Sequence, residues 1–307
     1  MRGLRFILAA AVAVLLFVPL ACGDDDDATT TAATVPAATE AIPTEPAETV
    51  APTEETTTAE AAPPAALPSD PAARKAVLAY RAYLRKQATI MATEGQPFAK
   101  ALRQGTPARA QAIYPRLITA YESIRPALAD LGLDLRLGAA EGQAQGEWTG
   151  LHAIEKILFD TGTTVGTEEL GATFVDDVDE LKRVLPGLEL SPAVIIGYGK
   201  ELADRVPDTT MKEEAERYSR LQLDGVDGDV RGARATYRAV RPIVNAQNPE
   251  LVASLDSATA ESLSVIDSLR APAQLRRWDE LSEGDIQAVL DAVAYLQEQL
   301  NAAQGAV

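Results

Sequence analysis

Histidine occurs once among the 307 residues, at position 152, and a glutamate follows three residues later at 155. On a helix, residues i and i+3 share a face, so His152 and Glu155 can bring an imidazole nitrogen and a carboxylate to one point. Such a pair serves a metal ion, or it satisfies itself as a buried hydrogen bond. Spacing alone leaves both outcomes open. The single histidine does limit the chemistry. A zinc hydrolase needs three protein ligands, an open position for water and a general base, and the usual motif uses two histidines. Cys22 is the sole cysteine, and no Ser-His-Asp set stands beside His152, so nucleophilic catalysis has no support. These residues point to binding and not to an enzyme.

The pair lies in EWTGLHAIEKILF, residues 147–159. Leu151, Ile154, Ile157, Leu158 and Phe159 give that stretch a buried side, and Gly150 permits close approach of a neighbouring backbone. Helical periodicity then runs through nearly all of 69–307. Ser69 or Asp70 caps a helix opened by Pro71, with Val77, Tyr80, Leu84, Ala88 and Met91 at helical spacing. A second helix begins at Thr106-Pro107 and stops at Gly132, with Pro115 expected to kink or restart it. Further helices are expected at about 147–160, 167–185, 191–205, 211–222, 228–246, 249–269 and 282–303. Only VIIGYG at 194–199 has the look of a strand. The fold class is therefore all-α, an up-down helical bundle large enough for a sizeable core. Within it, Trp148 reads as core, and Asp176, Asp177, Asp179 and Glu180 read as a solvated helix face. Asp224, Asp227 and Asp229 in LDGVDGDV read as a helix junction, since they lack the twelve-residue pattern of a calcium loop.

The N-terminal part differs in kind. Residues 1–21 carry Arg2 and Arg5, an apolar run and small residues before Cys22, the anatomy of a secretory signal peptide. Cys22, just after Leu20-Ala21, is similar to the lipidated cysteine of bacterial lipoproteins. Acylation there would anchor the chain to the cell membrane, each buried methylene adding roughly 0.8 kcal/mol. Residues 22–68 form a Thr/Ala/Pro/Glu-rich tether, expected to be disordered, with no Lys, Arg or aromatic residue. As a coil it would span roughly 37 Å. The net charge of −17 comes partly from this segment, which holds ten of the 45 acidic residues. The remaining 69–307 carries 35 acidic and 26 basic residues, net −9. Without a basic patch or Lys/Arg–aromatic interleaving, nucleic acid is excluded as a partner.

The words around His152 resemble a known family. GLHAIEK is similar to the Gly-aromatic-His-x-x-Glu-Lys signature of the imelysin-like proteins, peptidase family M75, with Leu151 at the aromatic position. ARAQAIYPRLITAYESIRPALADLG resembles that family's second helix, KEEAERYSRLQL its Glu-Glu-Asp-Arg-Tyr-Ser element, and VDGDVRGARATYRAVRPIV the helix that follows. The resemblance covers most of 75–303. It implies an imelysin-like helical domain over 69–307 and a metal site on Glu122, His152 and Glu155, with Tyr218 and Ser219 near the same cleft. Two of the family's expected acids are missing: Arg125 stands in one place, and near Gly138 in the other only Glu141 is close. An arginine within about 4–6 Å of a cation opposes its binding by several kcal/mol. So two outcomes stay open, an ion on nitrogen and oxygen donors (Fe2+/Fe3+, Zn2+ or Cu2+) or a salt bridge from Arg125 to Glu122 or Glu155 in its place. For function, the resemblance to the iron-uptake branch of the family implies a lipid-anchored, extracytoplasmic iron-binding component. Such a component passes its ion to a membrane permease and works beside a haem peroxidase. The alternative is a surface-interaction or polysaccharide-binding protein on the same scaffold with a decayed metal site.

Overall fold

The computed structural model describes residues 60–307, except 145, 213–214 and 272–273. The expected signal peptide, Cys22 and most of the tether lie outside the described residues. Contacts divide the chain at Thr56/Thr57, and all the described residues belong to the second unit.

Ten α-helices and no β-strand occur among the described residues. Asp70 accepts from the Ala73 amide at 2.7 Å and Pro71 opens α1 (Pro71–Arg103), which runs for about 50 Å. Helix α2 (Pro107–Glu122) passes through Pro115 without a break. The interruption comes instead at Ser123-Ile124, after which α3 (Arg125–Asp130) and α4 (Asp134–Gly138) are short. Glu122 is thus the last residue of α2, and the chain turns at once to present Arg125. The stretch 147–160 is helical only from α5 (Leu151–Glu155), which widens into a π-helical turn over Lys156–Asp160. Helices α6 (Glu168–Val184) and α7 (Pro192–Arg205) follow, and α7 ends in a second π-helical turn over Val206–Thr210. VIIGYG lies inside α7, with Ile195, Ile196 and Tyr198 buried; apolar continuity there reflects a helix packed on two sides. Then come α8 (Gln222–Gln247), α9 (Pro249–Ser268) and α10 (Glu283–Gln304).

Two expected elements change. The described residues of 211–220 are not helical: turns run over 215–219, and Glu216 and Arg220 take left-handed backbone angles, φ +42° and +61°. Helix α8 begins at Gln222, so LDGVDGDV forms its first turns and is no junction.

Helix α1 packs against α6 and α2, α8 against α7, α2 and α9, and α10 against α9 and α7. Tyr80, Leu84, Met91, Phe98, Tyr114 and Leu117 lie wholly inside with Phe174, Val230 and Tyr237. The glycines of α8 set one contact. A Cβ on Gly228 would stand 2.7 Å from the Thr119 carbonyl and 3.0 Å from the Glu122 Cβ, so only glycine lets the end of α2 lie this close. Gly232 meets the Ser123 carbonyl in the same way.

Residues 60–68 lie outside any helix but are bound to the bundle. The amides of Ala62 and Ala65 donate to the carbonyls of Arg183 (3.0 Å) and Pro186 (2.9 Å), and buried Arg81 donates to the Ala65 carbonyl at 3.1 Å. The bundle's packing therefore takes in residues ahead of the expected boundary at 69, Ala62 and Ala65 among them. No helix among the described residues is long and apolar enough to cross a membrane.

Candidate metal centre

Four segments meet around His152: the end of α2, the α5 turn, the π-helical end of α7 and the turns over 215–219. Gly150 precedes α5 with φ +83°, and a Cβ there would sit 2.5 Å from the Leu137 carbonyl. This close approach seats α5 against α4 and fixes where His152 points. The imidazole stands edge-on to the Tyr121 ring, centroids 6.5 Å apart.

His152 Nδ1 lies 3.1 Å from Glu155 Oε2 and 3.7 Å from Glu216 Oε1. One donor atom each from Glu122, His152 and Glu216 falls within 4.8 Å of the other two, and all three side chains are largely buried. Among the described residues this is the one set of three such donors close enough to share a cation. Of the three residues the sequence puts forward, Glu122 and His152 belong to it. Glu155 is placed beside it with both oxygens engaged: Oε1 accepts the amides of Tyr218 (3.2 Å) and Ser219 (2.8 Å), while Oε2 faces His152. Glu155 thereby clamps the turn that carries Glu216 and orients the imidazole, a supporting role common around metal ligands. Glu216 itself approaches the Tyr114 hydroxyl (3.4 Å) and the Ser219 hydroxyl (3.4 Å).

Sequence reasoning missed Glu216 because a helix over 211–222 gives no reason to single it out. Its left-handed backbone is disfavoured for a glutamate, and such conformations persist where surrounding contacts over-determine them, often at functional sites. The available signal was its place in KEEAERYS, two residues before Tyr218.

Arg125 pairs with Glu122, as one of its two expected partners: Nη1 to Oε1 is 3.0 Å, and Nε reaches Asp134 at 2.8 Å. Asp134 also accepts from the Tyr121 hydroxyl at 2.6 Å, and the Arg125 guanidinium lies 5.3 Å from the Tyr121 ring centre. A second cation, not foreseen, is Arg205 at the end of α7. Its Nη2 meets Glu122 Oε2 at 2.8 Å, and its Nε lies 3.6 Å from Asp229 Oδ1. Thr210 donates to the other Asp229 oxygen at 2.6 Å. Glu122 is therefore shared between two guanidiniums on one side and faces His152 on the other.

The electrostatics follow from burial and these neighbours. Burial alone would raise the Glu122 carboxyl, but Arg205 and Arg125, with His152, hold it below its ordinary value. Glu216 moves the opposite way: burial and the Glu155 carboxylate push it well up, and His152 draws it only partly back. Burial opposes charge on His152, yet Glu216 and the bond to Glu155 raise it to about 9. Asp229 is raised to about 8, by burial first and by Glu122 next, against Arg205 and Thr210. A cation entering here would displace protons from the set.

The site opens into a cleft of about 460 Å³ that reaches Trp148, Lys212, Arg217 and Tyr218. Trp148 is half-buried at its wall rather than in the core, donating to the Ala139 carbonyl at 2.7 Å. Glu141 caps the rim, bound to Lys156 and accepting from the Tyr218 hydroxyl at 2.7 Å. It contacts the rim cations and not His152. The acidic face of α6 stays apart from the cleft, although Asp177 is buried and held by Arg136.

A helical bundle with one buried imidazole between carboxylates defines the class. The imelysin model, peptidase family M75, matches residues 76–303, and the chain belongs to that family. It is similar to the iron uptake system component EfeO of Escherichia coli (strain K12), 28% identical over 237 residues, covering 75% of this chain and 63% of the relative. The EfeO proteins of Shigella flexneri and of E. coli strain UTI89 match to the same extent. The chain thus spans about 63% of the length of these curated relatives.

Proposed function

We propose that this protein binds an iron ion between its helices as an extracytoplasmic component of an iron-uptake system, without catalysing a reaction. The observation that carries the reading is the convergence of Glu122, His152 and Glu216, with donor atoms within 4.8 Å of one another. Two carboxylates and an imidazole suit iron, zinc or copper, and the relatives' name, iron uptake system component, favours iron. Glu155 orients His152 and holds the turn bearing Glu216. The family resemblance supports the remaining parts of the reading: export, anchoring through a lipid on Cys22, transfer of the ion to a membrane permease, and a haem peroxidase in the same system. One histidine leaves the peptidase label without a hydrolytic metal site.

Calorimetry of the full chain with ferrous, ferric, zinc and copper ions tests the centre. Binding should be lost in His152→Ala and fall at least tenfold in Glu216→Gln, with the thermal transition retained. Failure of all four ions to bind would end the metal reading.

A second reading has its own observation, the two guanidiniums on Glu122. On it the internal salt bridges replace the ion, and the protein is a surface-interaction or polysaccharide-binding module on an imelysin scaffold. Retained binding of acidic polysaccharide with no metal response would favour it.

A further inference from the structure

The centre is small but the cleft is not. At about 460 Å³ it exceeds by roughly fifteenfold the ~30 Å³ that one water takes in the liquid, and it falls within the range of roughly 300–1,000 Å³ usual for small-molecule sites. A lone ion on Glu122, His152 and Glu216 would leave most of it to solvent.

Charge points the same way. Glu122 already shares its negative charge with Arg125 and Arg205, so the three donors offer a trivalent ion little net compensation. They also supply only three donor atoms, leaving coordination positions open. The outer cleft is lined by cations with little to hold. Lys212 is exposed and has no ion-pair partner among the described residues, and Arg217 reaches Glu141 only at 4.0 Å while lying over the Tyr218 ring. Of the two described acids on the outer lining, Glu141 is taken by Lys156 and Tyr218, and Asp208 has no ion pair among the described residues. Among the described residues, Lys212 and Arg217 are thus the lining cations that no carboxylate holds closer than 4.0 Å. These two side chains can receive an anionic group that enters the cleft.

We propose that the cleft receives its cation as a complex with a small polycarboxylate, the ion on Glu122, His152 and Glu216 and the chelator's remaining carboxylates on Lys212 and Arg217. The chelator supplies the missing donor atoms and negative charge, and its carbon skeleton lies along Trp148 and Tyr218. This inference rests on the metal reading above.

Ferric citrate is the probe. Dialysis of the full chain against ferric citrate carrying separate labels on iron and citrate should retain both, near one to one. Charge reversal in Lys212→Glu/Arg217→Glu should weaken ferric citrate binding at least tenfold. The same change should strengthen binding of aqueous Zn2+, because added acids attract a bare cation. Iron retained without citrate, or ferric citrate and Zn2+ responding in the same direction, would overturn the proposal while leaving the metal centre standing. Absence of any metal binding by the unaltered chain would overturn both, with His152→Ala as the reference for that state.

Discussion

Arg125 is the residue on which the centre's charge balance turns. It holds Glu122 at 3.0 Å and Asp134 at 2.8 Å with only 14% of its side chain exposed. Unit charges about 4 Å apart interact with about 4 kcal/mol at an effective dielectric of 20, so the pairing with Arg125 competes with an ion for the Glu122 carboxylate. Arg125→Gln is therefore expected to raise the affinity for Zn2+ roughly tenfold or more. It should also lower stability by about 3 kcal/mol, because Asp134 and Glu122 each lose a buried partner. Calorimetry and urea unfolding on one sample read both; a stability loss with unchanged affinity would mean that Arg205 alone sets the field at Glu122. At this scale the sequence was half legible. His152, Glu122 and the intrusion of Arg125 could be read from words that resemble the family, each word being a short continuous stretch. Arg205, Asp229 and Glu216 come from α7, α8 and an irregular turn, and no local pattern links residues brought together only by packing.

Among the elements, the contact of α2 with α8 decides where Glu122 stands. Gly228 leaves no room for a methyl group, with the Thr119 carbonyl 2.7 Å and the Glu122 Cβ 3.0 Å from where it would be. Gly228→Ala should push the two helices apart, cost about 1–3 kcal/mol as overpacking does, and weaken metal binding in step by displacing Glu122. A drop in the urea midpoint with full affinity would separate the packing from the site. Elements with clean caps and period were legible: Ser191 at α7, Asn248 at α9 and the Ser282/Asp285 capping box at α10 mark starts within a residue of expectation. The turns over 215–219 were not. Their sequence has helical composition, and the hydrogen bonds that bend them come from Glu155 on a distant segment, so tertiary contact overrides local preference.

For the whole molecule, a half-buried acid away from the cleft, Asp224, sets a pH dependence. Burial, and then the Asp227 carboxylate, raise Asp224 from 3.8 to about 7, with Arg270 opposing. The folded chain thus keeps a proton that the unfolded chain releases near pH 4. Stability from this group is full below about pH 4, declines as pH rises to 7 and stays low above it. Asp224→Asn removes the decline, so its advantage over the native chain should grow between pH 5 and pH 8, reaching about 2–4 kcal/mol. Urea midpoints at the two pH values check this, and an advantage that is flat or shrinks with pH would exclude Asp224 as its source. Fold class was the most legible property of all, because periodicity accumulates over long helices. The edge of the domain was less so: residues 60–68 look like the rest of the Thr/Ala/Pro/Glu-rich segment, and what attaches them to the bundle is hydrogen bonding of their backbone to Arg183, Pro186 and Arg81.

One further property of the chain bears on how the centre can be watched. Its 307 residues contain a single imidazole, and that imidazole sits in the centre. Histidine-selective nitrogen-15 labelling would give one ring spin system with no assignment step. Its resonances would report proton release, diamagnetic zinc occupancy or paramagnetic broadening by iron at that place, and the edge-on Tyr121 ring would add a sensitive local shift. That scarcity makes the molecule its own single-site probe.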